Sequence, residues 1–135
     1  MPFVHSRTIR LADTDAAGVV FFARTYVLCH EAYEEALVQA GMDLKDFLGR
    51  NDLIIPIAKS SAEYFRPLHC GDKVTVTVKP SLLTPHSFAL DFEITRLGRP
   101  DKLAARVRTE HVATSLAKRQ RLDLPPALAA WVQAG

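Results

Sequence analysis

A chain of 135 residues, 48% of them hydrophobic and 24% charged, has the composition of an ordinary soluble globular protein and is long enough to bury one core. Its net charge of +2 is too small to indicate a nucleic-acid-binding surface, and no apolar run approaches the roughly 18 residues that a membrane-spanning helix needs. These features predict a single domain over residues 1–135, with neither nucleic acid nor a membrane among its partners.

The first residues, Met-Pro-Phe-Val-His, lack the charged and apolar regions of a secretory signal peptide, which predicts a cytoplasmic protein. Cys29 and Cys70 form neither a C-x-x-C pair nor a zinc-ligand spacing, so we expect free thiols in a reducing compartment. Cys29 is interpreted as a small core residue. Neither a metal nor a cofactor is expected.

The first half of the chain alternates between strand and helix patterns. Residues 3–11 alternate apolar and polar side chains and predict a strand, which the segment Asp-Thr-Asp-Ala-Ala-Gly ends. Residues 22–40 have the period of an amphipathic helix, with Gly41 as its terminator. A short second helix is expected from an N-cap at Asp43 to Gly49.

The second half is mostly strand. Four segments predict strands: residues 53–65, 73–79, 88–94 and 103–116. Of these, 73–79 and 88–94 alternate apolar and polar side chains and present one buried face. Pro56 indicates an edge or a bulge, and Pro125-Pro126 precedes a short helix near Trp131. The order of one strand, a long helix and four strands predicts an α+β fold, an antiparallel sheet with helices on one face.

The loop before the long helix is the candidate site. It places the Asp15 carboxylate just ahead of a helix N-terminus, whose free N–H groups and dipole can polarise a carbonyl oxygen. This pairing can hydrolyse an activated ester. Asp13 is interpreted as a turn or capping residue. A calcium loop is disfavoured, because Ala17 and Arg24 occupy two of the positions that would need oxygen ligands.

Three segments together resemble a known family. They are Asp-Thr-Asp-Ala-Ala-Gly-Val-Val-Phe-Phe (residues 13–22), Cys-His-Glu-Ala-Tyr-Glu (29–34) and His-Cys-Gly-Asp (69–72), the last before a valine-rich strand. They resemble the hotdog-fold acyl-CoA thioesterases of the 4-hydroxybenzoyl-CoA thioesterase family, and within it the 1,4-dihydroxy-2-naphthoyl-CoA thioesterases of phylloquinone and menaquinone synthesis. The resemblance implies a five-stranded antiparallel sheet wrapped around a long central helix, an acyl-CoA substrate and a homo-oligomer, either a dimer or a tetramer.

The resemblance also implies roles for particular residues. The family's catalytic carboxylate falls on Asp15 and its activating backbone amide on Phe22, with Gly18 in the tight turn between them as a second amide candidate. A coenzyme A thiolate leaves readily, since thiols titrate near pH 8.5, so the reaction needs no strong general acid. Asp15 would either attack the thioester carbonyl or deprotonate water, and both mechanisms stay open.

Other residues are candidates for substrate contact. In aromatic acyl-CoA members, a central-helix position that meets the ring hydroxyl falls on His30, for which a packing role stays open. The family has a carboxylate there, so this histidine argues against a 4-hydroxybenzoyl substrate. Tyr26 on the apolar helix face is a second candidate. The basic run of Lys118, Arg119 and Arg121 is the candidate for the CoA phosphates, with a solvated charged face as the alternative.

The sequence therefore predicts hydrolysis of an aromatic acyl-CoA, with 1,4-dihydroxy-2-naphthoyl-CoA as the expected substrate. Three alternatives remain. The first is a thioesterase for 4-hydroxybenzoyl-CoA or short-chain acyl-CoAs. The second is a hotdog dehydratase, supported only by His30 and Glu34. The third is a noncatalytic module that binds acyl-CoA or an acyl carrier. His5, His86 and His111 fall in no pattern that suggests a role.

Overall fold

The computed structural model describes residues 2–49 and 52–135. In chain order its elements are β1 (Phe3–Thr8), a 3-10 turn (Leu11–Asp13), α1 (Arg24–Gln39), α2 (Leu44–Gly49), β2 (Leu53–Ile54), β3 (Ile57–Tyr64), β4 (Lys73–Thr84), β5 (Ser87–Arg96), β6 (Lys102–Val112), β7 (Thr114–Ser115) and α3 (Pro126–Ala134). The order confirms the predicted α+β class.

Five strands form one antiparallel sheet in the order β1-β4-β5-β6-β3. Its register aligns apolar residues in rows across one face, for example Val78, Phe92 and Val107, all of them buried. This alternation produces a single apolar face that must be covered. Strands β2 and β7 form a separate two-stranded pair, and β1 and β3 are the edges of the main sheet.

Helix α1 covers the apolar face and packs on β1 and β4. Its buried residues recur at three- and four-residue spacing: Thr25, Leu28, Cys29, Ala32, Tyr33, Ala36 and Leu37. Gly41 follows the helix with a φ of +91°, a left-handed conformation that suits glycine at a helix end. Asp43 caps α2 as predicted, because its Oδ1 accepts from the N–H of Lys45 at 3.0 Å.

The structure corrects two predicted boundaries, the start of α1 and the end of β1. The helix begins at Arg24 rather than residue 22, because the N–H of Arg24 bonds back to the carbonyl of Phe21 at 2.8 Å in a tighter turn. Phe22 is therefore 61% exposed and does not belong to the buried face. The first strand ends at Thr8, and the residues after Arg10 form the 3-10 turn.

Two predicted strands are each divided in two. The segment 53–65 is interrupted at Pro56, whose nitrogen has no hydrogen to donate to a neighbouring strand. The segment 103–116 is interrupted at Ala113, whose N–H bonds to the carbonyl of His86 at 2.8 Å. In the described ranges, no helix combines the length and hydropathy needed to cross a bilayer.

Candidate active site

A buried ion-pair network fixes the loop that precedes α1. The Asp13 carboxylate is fully buried and accepts from Arg7 Nη1 of β1 at 2.5 Å, from Arg24 Nη2 of α1 at 2.7 Å and from the Arg10 backbone N–H at 2.8 Å. Glu31 of α1 holds the other side of Arg7 at 2.6 Å. The network therefore ties the loop to both the sheet and the central helix.

Asp13 keeps its negative charge in this network. Burial alone would raise the pKa of its carboxyl, but hydrogen bonds from Arg7, the Arg10 backbone and Arg24 outweigh that effect and hold the pKa well below its usual value of 3.8. The predicted capping role of Asp13 is present in the bond from Arg10, and the buried network adds a role that local sequence patterns did not indicate.

Asp15 lies in a tight turn beyond this anchor, with its side chain exposed. Its Oδ1 accepts from the N–H of Ala17 at 2.8 Å, and Oδ2 has no partner among residues 2–49 and 52–135. The Gly18 N–H donates to the Asp15 carbonyl at 3.0 Å, and Gly18 has a φ of +83°. Gly18 therefore forms the turn with its amide already used, and one carboxylate oxygen of Asp15 is free to react.

Phe22 supplies an unused donor where α1 begins. The backbone N–H groups of Phe22 and Ala23 have no acceptor in the described part of the chain. Tyr64 Oη donates to the Phe22 carbonyl at 3.2 Å, which links the start of α1 to the end of β3. Free N–H groups at a helix start lie at the positive end of its dipole and stabilise charge on a carbonyl oxygen.

An open cleft of about 320 Å³ lies beside these amides. Its lining is mainly apolar: Val19, Val20, Phe22, Thr25, Tyr64, Phe65, Arg66, Pro67, Leu68 and Ala105. Tyr64 is 50% exposed and Phe65 is 45% exposed, both at the end of the edge strand β3. The cleft thus opens toward an uncovered sheet edge.

His30 lies in a different place within the chain. It lines a smaller cavity of about 130 Å³ together with Tyr33, Glu34, Leu37, Leu44, Phe47, Ile55 and His111. At 1.5 Å per residue, His30 lies roughly 12 Å along the helix direction from Phe22. Tyr26, half-buried against the core, lines neither the cleft nor the cavity. One chain alone therefore does not bring Asp15, Tyr26 and His30 into one pocket.

The basic run lies on an exposed turn that follows β7. Asp52 holds this turn, accepting from the Ser115 hydroxyl and, at 2.7 Å, from the N–H of Ala117. Lys118, Arg119 and Arg121 are all exposed. Because β7 pairs with β2, which precedes β3, the basic run lies near the Ile57 end of β3. Tyr64 and Phe22 lie at the other end of this strand, whose eight residues rise about 3.3 Å each.

The core position predicted for Cys29 is confirmed. Cys29 is buried and burial raises the pKa of its thiol, which disfavours the reactive thiolate, whereas Cys70 is exposed. Across residues 2–49 and 52–135, no three His, Cys, Asp or Glu side chains gather as a metal site would require. The reactive groups of the loop are thus a carboxylate and backbone amides.

Residues 9–132 match the family model of the thioesterase-like superfamily. A 1,4-dihydroxy-2-naphthoyl-CoA hydrolase of Thermosynechococcus vestitus is 42% identical over 129 residues, which are 96% of this chain and 87% of that protein. One from Crocosphaera subtropica is 39% identical over 96% of this chain and 94% of its own. A crystal structure of a 1,4-dihydroxy-2-naphthoyl-CoA thioesterase from Synechocystis superposes with a TM-score of 0.93 at 34% identity, covering 98% of this chain and 96% of that one.

Proposed function

The chain belongs to the thioesterase-like superfamily, and we propose that it hydrolyses 1,4-dihydroxy-2-naphthoyl-CoA to 1,4-dihydroxy-2-naphthoate and coenzyme A. It has the predicted hotdog fold, an antiparallel five-stranded sheet packed against a long central helix. The observation that supports the reaction is the loop of residues 13–22, in which the free oxygen of Asp15 and the unused N–H of Phe22 belong to one anchored segment. The names of the similar proteins support the choice of acyl group.

Asp15 and Phe22 divide the chemistry between them. The Asp15 carboxylate attacks the thioester carbonyl carbon, the C–S bond breaks, the thiolate leaves, and water then hydrolyses the acyl anhydride; alternatively Asp15 takes a proton from the attacking water. In both routes the carbonyl oxygen gains negative charge, which the Phe22 N–H stabilises. Removing one such donor costs about 3 kcal/mol in related chemistry.

The working unit in this proposal is a homo-oligomer joined through β3. This edge strand exposes Ile57 and Tyr64, and Phe65 follows it, each 45–50% exposed. An uncovered strand edge with apolar side chains favours pairing with a second copy. If two β3 strands pair antiparallel about a twofold axis at the strand centre, Ile57 of each copy lies beside Tyr64 of the partner subunit.

This pairing completes the site. Phe22 lies at the Tyr64 end of β3, whereas the His30 cavity and the basic run of Lys118, Arg119 and Arg121 lie at the Ile57 end. The acyl group held at Asp15 of one protomer then extends toward His30 of the partner subunit, and the CoA phosphates meet the partner's basic turn. We place the reaction in the cytoplasm, where the free thiols Cys29 and Cys70 stay reduced.

A panel of acyl-CoA substrates tests this function, with free thiol release as the readout. We expect the highest kcat/KM for 1,4-dihydroxy-2-naphthoyl-CoA, followed by 4-hydroxybenzoyl-CoA and benzoyl-CoA, because the apolar walls near the site fit a flat ring system. Higher kcat/KM for straight-chain acyl-CoAs would contradict the substrate. Tight binding of acyl-CoA without thiol release would instead indicate a binding module.

A further inference from the structure

The inner face of the sheet contains one polar pair with no role so far. His111 and Thr109 of β6 are 2% and 4% exposed, and His111 Nε2 lies 2.8 Å from Thr109 Oγ1. Their neighbours on β4 and β5 in the same rows of the sheet are apolar: Pro80 and Leu90 beside Thr109, Leu82 and Phe88 beside His111. Burying an imidazole among such residues is costly unless its polar atoms find partners.

The second ring nitrogen of His111 has no such partner in the described part of the chain. Nδ1 makes no hydrogen bond to any described residue, yet no buried side-chain nitrogen or oxygen in the described ranges lacks a partner. Nδ1 must therefore be accessible, and the cavity that His111 lines is the one of about 130 Å³. The Tyr33 hydroxyl likewise makes no hydrogen bond to a described residue and is not an orphaned buried atom, and Tyr33 lines the same cavity.

The ring of His111 is held in a fixed plane. It stacks on Phe88 with the ring centres 4.8 Å apart and the planes 4° from parallel, and Tyr33 packs against it at 5.3 Å. Burial, and then the charge of His30, lowers the pKa of His111 to about 4, so the imidazole is neutral at pH 7. A neutral imidazole with one bonded nitrogen offers the other as a single oriented donor or acceptor.

The cavity has the size and chemistry of a site for one aromatic ring. An engineered cavity of about 150 Å³ lined by apolar residues takes up benzene, which is comparable with this volume. Leu37, Leu44, Phe47 and Ile55 supply apolar walls, and the polar atoms are those of histidine and tyrosine side chains with one carboxylate at Glu34. A phenolic hydroxyl both donates and accepts, so it matches Nδ1 in either tautomer.

The cavity lies at the end of β3 that approaches the partner subunit's reactive loop in the proposed dimer. His111 pairs with Ile57 in the sheet, at the end of β3 that faces Tyr64 of the partner subunit in the proposed dimer. We propose that His111 is a specificity-determining residue, whose Nδ1 hydrogen-bonds the 4-hydroxyl of the dihydroxynaphthoyl group bound to Asp15 of the partner subunit. This inference rests on the proposed function and adds a residue that selects the acyl group.

The test compares two substrates that differ by one hydroxyl, 1,4-dihydroxy-2-naphthoyl-CoA and 1-hydroxy-2-naphthoyl-CoA. We expect the wild type to favour the first by roughly tenfold in kcat/KM, as one hydrogen bond provides. His111→Phe keeps the stacked ring and should reduce the preference to within about twofold. His86→Phe, a half-buried histidine outside the cavity, is the matched control and should keep the preference.

Thr109→Val provides a second variant if His111→Phe does not fold. It removes the hydroxyl that orients Nε2 and should lower the preference several-fold. A wild type that hydrolyses both substrates equally, or a His111→Phe variant that keeps the tenfold preference, would overturn the role of His111 and leave the proposed function standing. A wild type that hydrolyses neither substrate would overturn both.

Discussion

Replacing Asp13 by asparagine tests whether the buried network stabilises the protein and anchors the candidate loop of residues 13–22. Asp13→Asn keeps the size of the side chain but leaves Arg24 without its carboxylate, whereas Arg7 retains Glu31 at 2.6 Å. Removing one partner of a buried ion pair costs about 3–5 kcal/mol. The Arg24 side chain is 36% exposed, so water can solvate its unpaired guanidinium. We therefore expect the free energy of unfolding to fall by about 3 kcal/mol, equivalent to a fall of about 12 °C in Tm.

Chemical unfolding at pH 7 measures this loss, and Asp91→Asn is its matched control. Asp91 pairs with Arg108 at 2.9 Å on the outer face of the sheet, where both side chains are at least 40% exposed. A surface pair contributes less than about 1 kcal/mol, so the control should be nearly as stable as the wild type. Because the pKa of Asp13 is depressed in the folded state, its contribution is present above pH 3.8 and is lost only as pH falls toward the folded pKa. Equal small losses for the two variants at pH 7 would refute the reasoning.

Three further predictions concern the pH dependence of stability at His111, the backbone strain at Gly18 and the oligomeric state formed through β3. The pKa of His111 falls from 6.5 to about 4 on folding, so the wild type should lose about 3 kcal/mol of unfolding free energy from this group as pH falls from 6.5 to 4. Urea unfolding over that range should show a correspondingly flatter pH dependence for His111→Phe, and parallel curves would contradict the assignment. Gly18→Ala meets no atom within 4 Å but must adopt a φ of +83°, so it should cost about 1 kcal/mol, and a variant as stable as the wild type would exclude that strain. Light scattering should give at least about 30 kDa, twice the 15.0 kDa chain, and a fully active monomer would refute the shared site.

The order and type of most elements could be predicted from the sequence, because each was encoded locally. Val74, Val76 and Val78 are buried in β4, as their alternation predicted. The start of α1 was predicted two residues early, because Phe22 fits the helical period although the backbone there forms a tighter turn. A hydrophobic pattern identifies a face, but the hydrogen bonds at its end decide where a helix begins.

The candidate site could be proposed from the sequence only where its residues are close in the chain. Asp15 and Phe22 belong to one segment of ten residues, 13–22, so a local motif is enough to relate them. The cavity combines His30 of α1, Phe47 of α2 and His111 of β6, positions up to 81 residues apart that no local pattern relates. The Arg7–Asp13 network was missed because its members belong to a strand, a loop and α1, which no single local pattern relates, although an arginine interrupting the first strand pattern was a signal of a buried partner.

The rate of thiol release by Asp15→Asn tests the central claim most directly. The substitution removes the charge of an exposed side chain while keeping an oxygen that can accept from Ala17, so the fold should be retained. Asp43→Asn, which changes an exposed capping carboxylate at α2 in the same way, is the control and should keep its turnover. With 1,4-dihydroxy-2-naphthoyl-CoA as substrate, Asp15→Asn should lower kcat by at least about a hundredfold with an unchanged unfolding midpoint. Turnover close to that of the wild type would contradict the assignment of Asp15 as the catalytic carboxylate.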